Sequence, residues 1–578
     1  MAYIDGEFRV HQAEIKALKE IVGEGNWIDG TDEIRAEPYI TAARGAKGST
    51  PLVVLPKNSE EVKQLVDYAN AHGLHFVINA GKKSGRTGLV EAGIPKGEIV
   101  IATERMNKIH SVTVTFNDGK EQTVRFDNTK INEAREPAEE WRKQLEAAGI
   151  DREKVAGVRL DLEAAVSIAT VNTVIGSLQF EMPIGVGDPS ATVCACIANG
   201  AAGDTFVKSN DGKGFIQTSA DLAREVEGVY GNGEHVIEKV TPQPEPGPDQ
   251  LRLNSGVFTR KELARSQGVL GLITRAVVEA RYIPKPEQHQ AAMVAVSNYE
   301  EASTLLAKAE AWLQEKGHDL YKFEFISGEM LELVKRLKGD RVTELSGNVV
   351  LFHATTKGSR EKFEEEFLEF ITRITDRSGQ AYYSESGHSR VHYDGDYRKA
   401  TEARHSCTEA SDHWLAETCS RNRNDWPKYR FSPDISLPPS EFDAFATEAR
   451  AVLKDMNVKV VDFGHFRRGG DHFHVVSSDG KPINKDEVAK RIFKVLRTHR
   501  GSPSAEHGVG TSTLIIDALN EIFAPELDRM EGIVRDANPN LVFNRRSFGM
   551  DKRILPSPGK VANGASHEGG KDVAARHP

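Results

Sequence analysis

Basic charge is in deficit: 75 Lys and Arg stand against 85 Asp and Glu over 578 residues, a formal net charge of −10. Nucleic-acid binding rests on Lys and Arg displacing counterions from phosphates, so no nucleic-acid partner is expected. Long apolar runs are also missing. Each is broken by Gly, Pro or charge well short of the ~18 residues of a membrane span. The first ten residues, MAYIDGEFRV, contain neither the basic nor the apolar region of a secretory signal. Cysteine is scarce, with only Cys194, Cys196, Cys407 and Cys419. The Cys194-Ala-Cys196 spacing suits neither a redox CxxC nor a zinc knuckle. Reduced thiols in a cytoplasmic protein are expected, with peripheral contact at the inner face of the cell membrane left open. No internal repeat is present, and no GxGxxG turn, so a Rossmann site is not predicted.

What is present reads as more than one domain, because 578 residues exceed an ordinary single core. Pro51-Leu-Val-Val-Leu-Pro56 is a short apolar run between prolines and predicts a buried strand. Asn58-Ser59-Glu60-Glu61 then caps a helix with Val62, Leu65, Val66 and Ala69 on one face. A second strand over 74–78, a Gly-rich loop over 81–93 and a strand over 99–101 follow. Residues 13–22, 300–315, 361–373 and 439–454 read as helices, and 349–353 and 458–463 as strands. Residues 110–170 are charge-rich and resist placement, and 238–249 hold four prolines and read as an excursion. The predicted fold class is α+β: a two-part first domain over 1–285, a second domain over 286–510, a return to the first over 511–555 and a disordered tail after 556.

Three small-residue segments carry the cofactor reading, since a pyrophosphate needs close backbone approach and free N–H donors. The first is Gly81-Lys-Lys-Ser-Gly85-Arg86-Thr87-Gly88-Leu89. The second runs from Gly185 and Gly187 through Ser190-Ala191-Thr192 to Asn199 and Gly203. The third is Ser266-Gln-Gly268-Val-Leu-Gly271-Leu-Ile273. In this order they resemble the FAD-binding elements of the vanillyl-alcohol-oxidase superfamily. The resemblance implies FAD, held non-covalently because the first loop offers no His or Cys. Cys194-Ala195 stands where the family has Gly-Gly, and Lys82–Ser84 are extra. Phe543-Asn544-Arg545-Arg546 stands where it has Asn-Pro-Gly-Lys, so Asn544 alone is carried over as a flavin contact.

The chemistry lies further along. Gly464-His465 is followed by Asp471-His472-Phe-His474, and Glu506-His507-Gly508 comes 34 residues after His472. Two imidazoles and a carboxylate are a common ligand set for a divalent metal with an open position. The pattern resembles the flavin-linked D-2-hydroxy-acid dehydrogenases, which include D-lactate and D-2-hydroxyglutarate dehydrogenases. That resemblance makes His465, His472 and Glu506 ligands of zinc or manganese, and His507 the base that takes the hydroxyl proton. Direct alignment of Gly-Gly-Asp-His-Phe-His with the family's Gly-Asp-Gly-Asn-Leu-His would make His474 the ligand instead; the spacing from His465 favours His472.

A fork of guanidinium donors suits a substrate carboxylate. Arg421-Asn-Arg423-Asn-Asp425-Trp426 precedes Asp434-Ile-Ser-Leu-Pro438, which resembles the family's Asp-Val-Ser-Val-Pro strand. Arg423, with Arg421 second, is the expected clamp, and Arg86 the fallback. The resemblance spans residues 35–550, poorly over 110–175. The Thr87-Gly88-Leu89-x-Glu91 loop and the Arg-Asn-Asp-Trp run lean it towards the bacterial respiratory D-lactate branch. The function implied is oxidation of a small D-2-hydroxy acid, D-lactate first and D-2-hydroxyglutarate second, with electrons passed to quinone or another carrier. A flavin-binding subunit without chemistry of its own is the alternative.

Overall fold

The computed structural model describes residues 3–4, 7–8, 10–41, 47–80, 93–133, 136–184, 189–202, 218–242, 257–339, 342–376, 378–383, 389–393 and 395–555. Gly81 to Leu89, Gly185, Gly187, Gly203 and the tail after 556 lie outside these residues.

The first sheet is small. Strands β1 (Trp27–Asp29), β2 (Leu52–Val54), β3 (Phe76–Asn79) and β4 (Ile99–Ala102) lie in the order β1-β2-β4-β3, with β4 parallel to both β2 and β3. Parallel strands need a crossover, and helix α1 (Ser59–His72) supplies it between β2 and β3. Its start is fixed by the Asn58 side chain accepting the Glu61 N–H at 2.9 Å, and its end by Gly73 at φ 64°. Val62, Leu65, Val66 and Ala69 are buried, the face their spacing predicts.

The charge-rich stretch after residue 108 forms regular structure among its described residues. It forms a hairpin, β5 (Ile109–Phe116) and β6 (Glu121–Arg125), then helix α2 (Pro137–Ala147) and strand β7 (Val155–Glu163). Apolar alternation along β5 is real but sits among exposed charges on β6, which masks it in a windowed reading. A two-residue strand β8 (Phe180–Glu181), helix α3 (Val193–Asn199), and strands β9 (Ala223–Tyr230), β10 (His235–Lys239) and β11 (Gly271–Tyr282) complete a second sheet, ordered β10-β9-β11-β7-β5-β6 with β8 pairing β11.

The third sheet belongs to the substrate half. Strands β12 (His289–Val296), β13 (Asp319–Ile326), β14 (Asn348–Thr355), β15 (Val391–His392), β16 (Arg430–Phe431), β17 (Asp434–Ser436), β18 (Val458–Gly464) and β19 (Gly470–Ser477) form it in the order β15-β12-β14-β13-β18-β19-β16, with β17 also on β19. One face, through Phe323, Phe325, Val350 and Phe352, joins the main core beneath helices α4 (Tyr299–Lys316), α5 (Arg360–Arg373) and α6 (Phe442–Leu453). The other face, through Ala291, Met293, Ile326, Leu351, Val461 and Phe463, packs on a separate cluster with Ala400, Ala403 and Cys407 from helices over 397–405 and 407–418. The chain then returns: Phe76 N–H donates to Val542 O at 2.6 Å, and Asn544 N–H to Phe76 O at 2.9 Å, so residues 542–544 run beside β3 of the first sheet. No helix among the described residues is long and apolar enough to cross a membrane.

Candidate active site

The polar side chains of the third sheet line up along its α-helical 397–418 side. The strand pairings place Lys322 opposite His353, and Phe463 opposite both Ile326 and His472. With a strand period of two, Lys322 and Glu324, Phe463 and His465, and His472 and His474 therefore share one face. The β18–β19 hairpin sets His465 and His472 together, their rings 5.4 Å apart and edge to face.

Glu506 and His507 arrive on a loop fastened to β17. Ser436 and Ser502 exchange backbone hydrogen bonds at 2.9 and 2.7 Å. Asp434 Oδ2 then accepts the N–H of Glu506 and of His507, both at 2.7 Å. The result is convergent. Glu506 Oε1 lies 3.3 Å from His465 Nε2, 3.7 Å from His472 Nε2 and 3.8 Å from His507 Nε2. Asp434 lies 3.5 Å from the Nδ1 atoms of both His472 and His507, whose rings stack 5.2 Å apart at 14°. One ligand atom each from Asp434, His472, Glu506 and His507 falls within 4.8 Å of the others, a grouping able to hold a metal ion. His465 is outside that foursome but is the nearest imidazole to Glu506. His474 is two residues beyond His472 on the same face, its ring against Phe463 at 5.3 Å.

Charge within the cluster is set by competition with burial. His465 is buried, which alone would depress its pKa. The Glu324 carboxylate at 3.0 Å and Glu506 override burial and push it up to about 10. Burial would raise Glu506, yet His465, His507 and His472 hold it well below the usual carboxylate range. His472 goes the other way: burial outweighs Asp434 and lowers it, keeping a neutral imidazole. Asp434 is lowered, with His507 and His472 overriding burial.

Arg421 and Arg423 are not brought to this cluster. Both are exposed, and Arg423 lies over the Trp426 ring at 5.3 Å, in a turn that leads to β16. Arg430 of β16 pairs with Val476, four residues along β19 from His472, or about 13 Å. The buried guanidinium beside the cluster is Arg404, which donates to Glu324 Oε2 at 2.7 Å and stacks on Phe463 at 4.6 Å. Lys322 is buried two residues before Glu324, with its Nζ 3.4 Å from His405 Nε2. Sequence reasoning missed Lys322 and Glu324, because only the pairing of β13 with β18 brings them to His465, and Arg404, which arrives on the helix over 397–405 packed on that face. Asp434 was noted for its strand motif alone.

On the flavin side, Ala202 N–H donates to Glu506 Oε2 at 3.1 Å, so the second small-residue segment abuts the histidine cluster. Ala191 accepts the Ile168 N–H at 3.0 Å, buried Thr192 precedes α3, Asn199 ends it, and Ser190 lies just ahead. Asn544 is buried at φ 42°, accepts the Ile78 N–H on Oδ1 at 3.0 Å and donates from Nδ2 to Gln267 O at 3.3 Å. Gly268 has φ +70°, and a Cβ there would meet Asn544 Nδ2 at 2.7 Å. Gly271 has a packing reason instead, since its Cβ would lie 2.3 Å from Val229 O of the neighbouring strand, and Ile273 is buried beside it on β11. Arg545 and Arg546 pair with buried Glu98 at 3.2 and 2.8 Å, which accounts for arginines where the family pattern differs. Parallel strands β3 and β4 end side by side at Asn79 and Ala102, the end of a parallel sheet where nucleotides bind. Next to them Thr103 Oγ1 is buried with no hydrogen-bond partner among the described residues. These features fit a dinucleotide cofactor.

Comparison with known proteins agrees. Residues 50–125 match the FAD binding domain and residues 285–542 the C-terminal domain of FAD-linked oxidases. The chain is 25% identical over 515 residues to a mitochondrial D-2-hydroxyglutarate dehydrogenase of Arabidopsis thaliana, covering 88% of this chain and 76% of that one. It is 23% identical over 549 residues to the D-2-hydroxyglutarate dehydrogenase of Stutzerimonas stutzeri, covering 92% and 98%. A putative mitochondrial D-lactate dehydrogenase of Schizosaccharomyces pombe is 23% identical over 522 residues, covering 87% and 84%. In fold it is similar to p-cresol methylhydroxylase with substrate bound, at TM-score 0.58 and 13% identity over 94% of this chain and 98% of that one. The chain carries the FAD binding domain and the C-terminal domain of FAD-linked oxidases, on the fold of the vanillyl-alcohol-oxidase flavoproteins.

Proposed function

We propose that the protein oxidises a small D-2-hydroxy acid to the 2-oxo acid and passes the electrons to quinone or another carrier. The observation that carries this reading is the convergence of three imidazoles on Glu506, against the flavin-side residue Ala202. Bound FAD supplies a two-electron acceptor for the Cα hydride. Asn544, Gly268 and the segment around Thr192 would hold it, without a covalent link. His507 takes the hydroxyl proton: it is half-buried, stacked on His472 and aligned by Asp434. Arg404 holds the substrate carboxylate, in place of the exposed Arg423.

His465, His472 and Glu506 are proposed to hold a divalent metal, zinc or manganese. Bonds of about 2.1 Å in a tetrahedral site put neighbouring ligand atoms about 3.4 Å apart; the Glu506 carboxylate is 3.3 and 3.7 Å from the two imidazoles, and the mutually close ligand atoms are those of Asp434, His472, Glu506 and His507. The metal would place the substrate hydroxyl beside His507.

D-2-hydroxyglutarate, rather than D-lactate, has an observation of its own. Lys322 is buried on the face that carries His465, and Arg404, paired with Glu324, is buried on the helix packed against it; two cations there would suit a second carboxylate. Anaerobic titration of the purified flavoprotein with the D and L forms of both acids tests the proposal. One D acid should bleach the flavin and neither L acid should. No bleaching by any of them would leave a flavin-binding subunit. Elemental analysis of the same sample, before and after chelation, tests the metal.

A further inference from the structure

Two non-glycine residues within three positions of the third flavin segment hold left-handed backbone: Arg265 at φ 63° and Gln267 at φ 54°, with Gly268 following at φ 70°. Such conformations persist only where the surroundings over-determine them, and they gather at functional sites. Both residues are buried. Arg265 is tied by its N–H to Ile197 O at 3.0 Å and by its guanidinium to Asp221.

Gln267 is joined to three separate parts of the molecule. Its N–H donates to Ala198 O of α3 at 2.8 Å. Its carbonyl accepts from Asn544 Nδ2 at 3.3 Å. Its side-chain Oε1 accepts the Val509 N–H at 2.8 Å, two residues after His507. The loop has room for this contact only because residue 508 is glycine: Gly508 has φ +86°, and a Cβ there would lie 2.7 Å from Gln267 Oε1. The carboxamide is thus the hydrogen-bonded crosspiece between backbone shared with the flavin elements and the loop that bears Glu506 and His507. Asp434 holds that loop from the substrate-domain side, through the N–H groups of residues 506 and 507.

We propose that Gln267 is a positioning residue: it sets the distance and orientation of His507 relative to the flavin by gripping the Val509 amide from the flavin domain. The proposal rests on the catalytic reading given above for His507.

The test uses the full-length holoprotein with Gln267→Asn, Gln267→Leu and Gln267→Glu. Asn accepts left-handed backbone more readily than Gln and so preserves the loop, but is one methylene too short to reach Val509. Hydrogen exchange at the Val509 amide should rise at least about tenfold in the Asn and Leu variants, with FAD content and thermal midpoint held. Glu, which keeps the length and the acceptor, should restore protection. With whichever of D-2-hydroxyglutarate or D-lactate reduces the wild type, the limiting rate of flavin bleaching should fall about 10- to 100-fold in the Asn variant, as a misplacement of an ångström or so does. The apparent Kd for the acid should change less than about threefold, since Gln267 does not touch substrate. Unchanged exchange in the Asn and Leu variants, failure of Glu to restore it, or an equal loss of affinity and rate would each overturn the proposal. If the wild type is bleached by neither acid, the catalytic reading fails, and the exchange measurement still decides whether Gln267 holds the loop.

Discussion

One oxygen of Asp434 accepts the amide hydrogens of both Glu506 and His507, at 2.7 Å each, while the same carboxylate stands 3.5 Å from the Nδ1 atoms of His472 and His507. The backbone of the loop at 506–507, the ring of His507 and the ring of His472 on β19 therefore share one anchor. His507→Ala should slow flavin reduction by about 10²- to 10⁴-fold, the usual scale for a general base. Asp434→Asn keeps an acceptor and loses the charge, so a fall of about 10- to 100-fold is expected. The double variant should be no slower than His507→Ala alone, because Asp434 acts through His507. Additive losses in rapid-mixing measurements of flavin bleaching would give Asp434 a separate role.

The second prediction separates the buried guanidinium from the exposed ones. Arg404→Lys keeps charge but loses the fork to Glu324 and to a carboxylate, and the apparent KM for the acid should rise by at least about tenfold. Arg423→Lys and Arg421→Lys should leave KM within about twofold, since exposed charges away from the cluster are screened. Steady-state kinetics on the three variants decide it. A normal KM in Arg404→Lys with a raised one in Arg423→Lys would restore the exposed pair as the clamp.

Much of this architecture was legible because it is local. Asn58 before Glu60-Glu61, and the spacing of Val62, Leu65, Val66 and Ala69, specify α1 without any tertiary contact. His465 and His472 could be read as a pair because a hairpin joins them, and the Glu506-His507 dipeptide because its resemblance to known dehydrogenases is dense. Arg404 and Lys322 were not legible. Lys322 reaches His465 across the pairing of β13 with β18, and Arg404 by the packing of its helix on that sheet face; nothing near residue 404 marks it as different from the other arginines of a charged helix. Arg421 and Arg423 show the converse: a charged run beside a Trp has the composition of a clamp, and in the structure both arginines are exposed. The β5–β6 hairpin was hidden because one of its strands is largely exposed and keeps almost no apolar pattern.

Glu98 supplies a third prediction. Its carboxylate is fully buried and holds Arg545 and Arg546 at 3.2 and 2.8 Å; Arg546 also donates to Ile94 O at 2.6 Å. The two guanidiniums hold Glu98 below the usual carboxylate range although burial opposes them. Glu98→Gln would leave buried Arg545 and half-buried Arg546 facing a neutral amide, and a loss of about 3 to 5 kcal/mol is expected. The exposed Arg159–Glu121 pair, at 2.8 Å, is the control: Glu121→Gln should cost less than about 1 kcal/mol. Chemical denaturation of the two variants compares them directly, and equal losses would mean that the buried triad is solvated in practice.

His75 gives the last prediction, a pH dependence whose sign follows from its burial. Its Nδ1 lies 2.8 Å from Leu541 O, fastening β3 to the returning segment that carries Asn544. Burial first, and Arg545 second, push its pKa down to about 4 from the ordinary 6.5. The folded protein therefore keeps this ring neutral where the unfolded chain would already be charged. The stability it contributes is present in full above pH 6.5 and is lost as pH falls through the interval towards 4. Linkage over that interval gives a loss of about 2.5 kcal/mol between pH 7 and pH 4.5. Asn at this position can donate to Leu541 O from its amide and does not titrate. His75→Asn should then show a smaller drop in unfolding free energy between these two pH values, by about that amount, while the carboxylates shared by both proteins cancel in the comparison. Wild type and variant losing stability in parallel would show that His75 is protonated in the folded state at pH 4.5, and that the contact with Leu541 does not depend on the neutral ring.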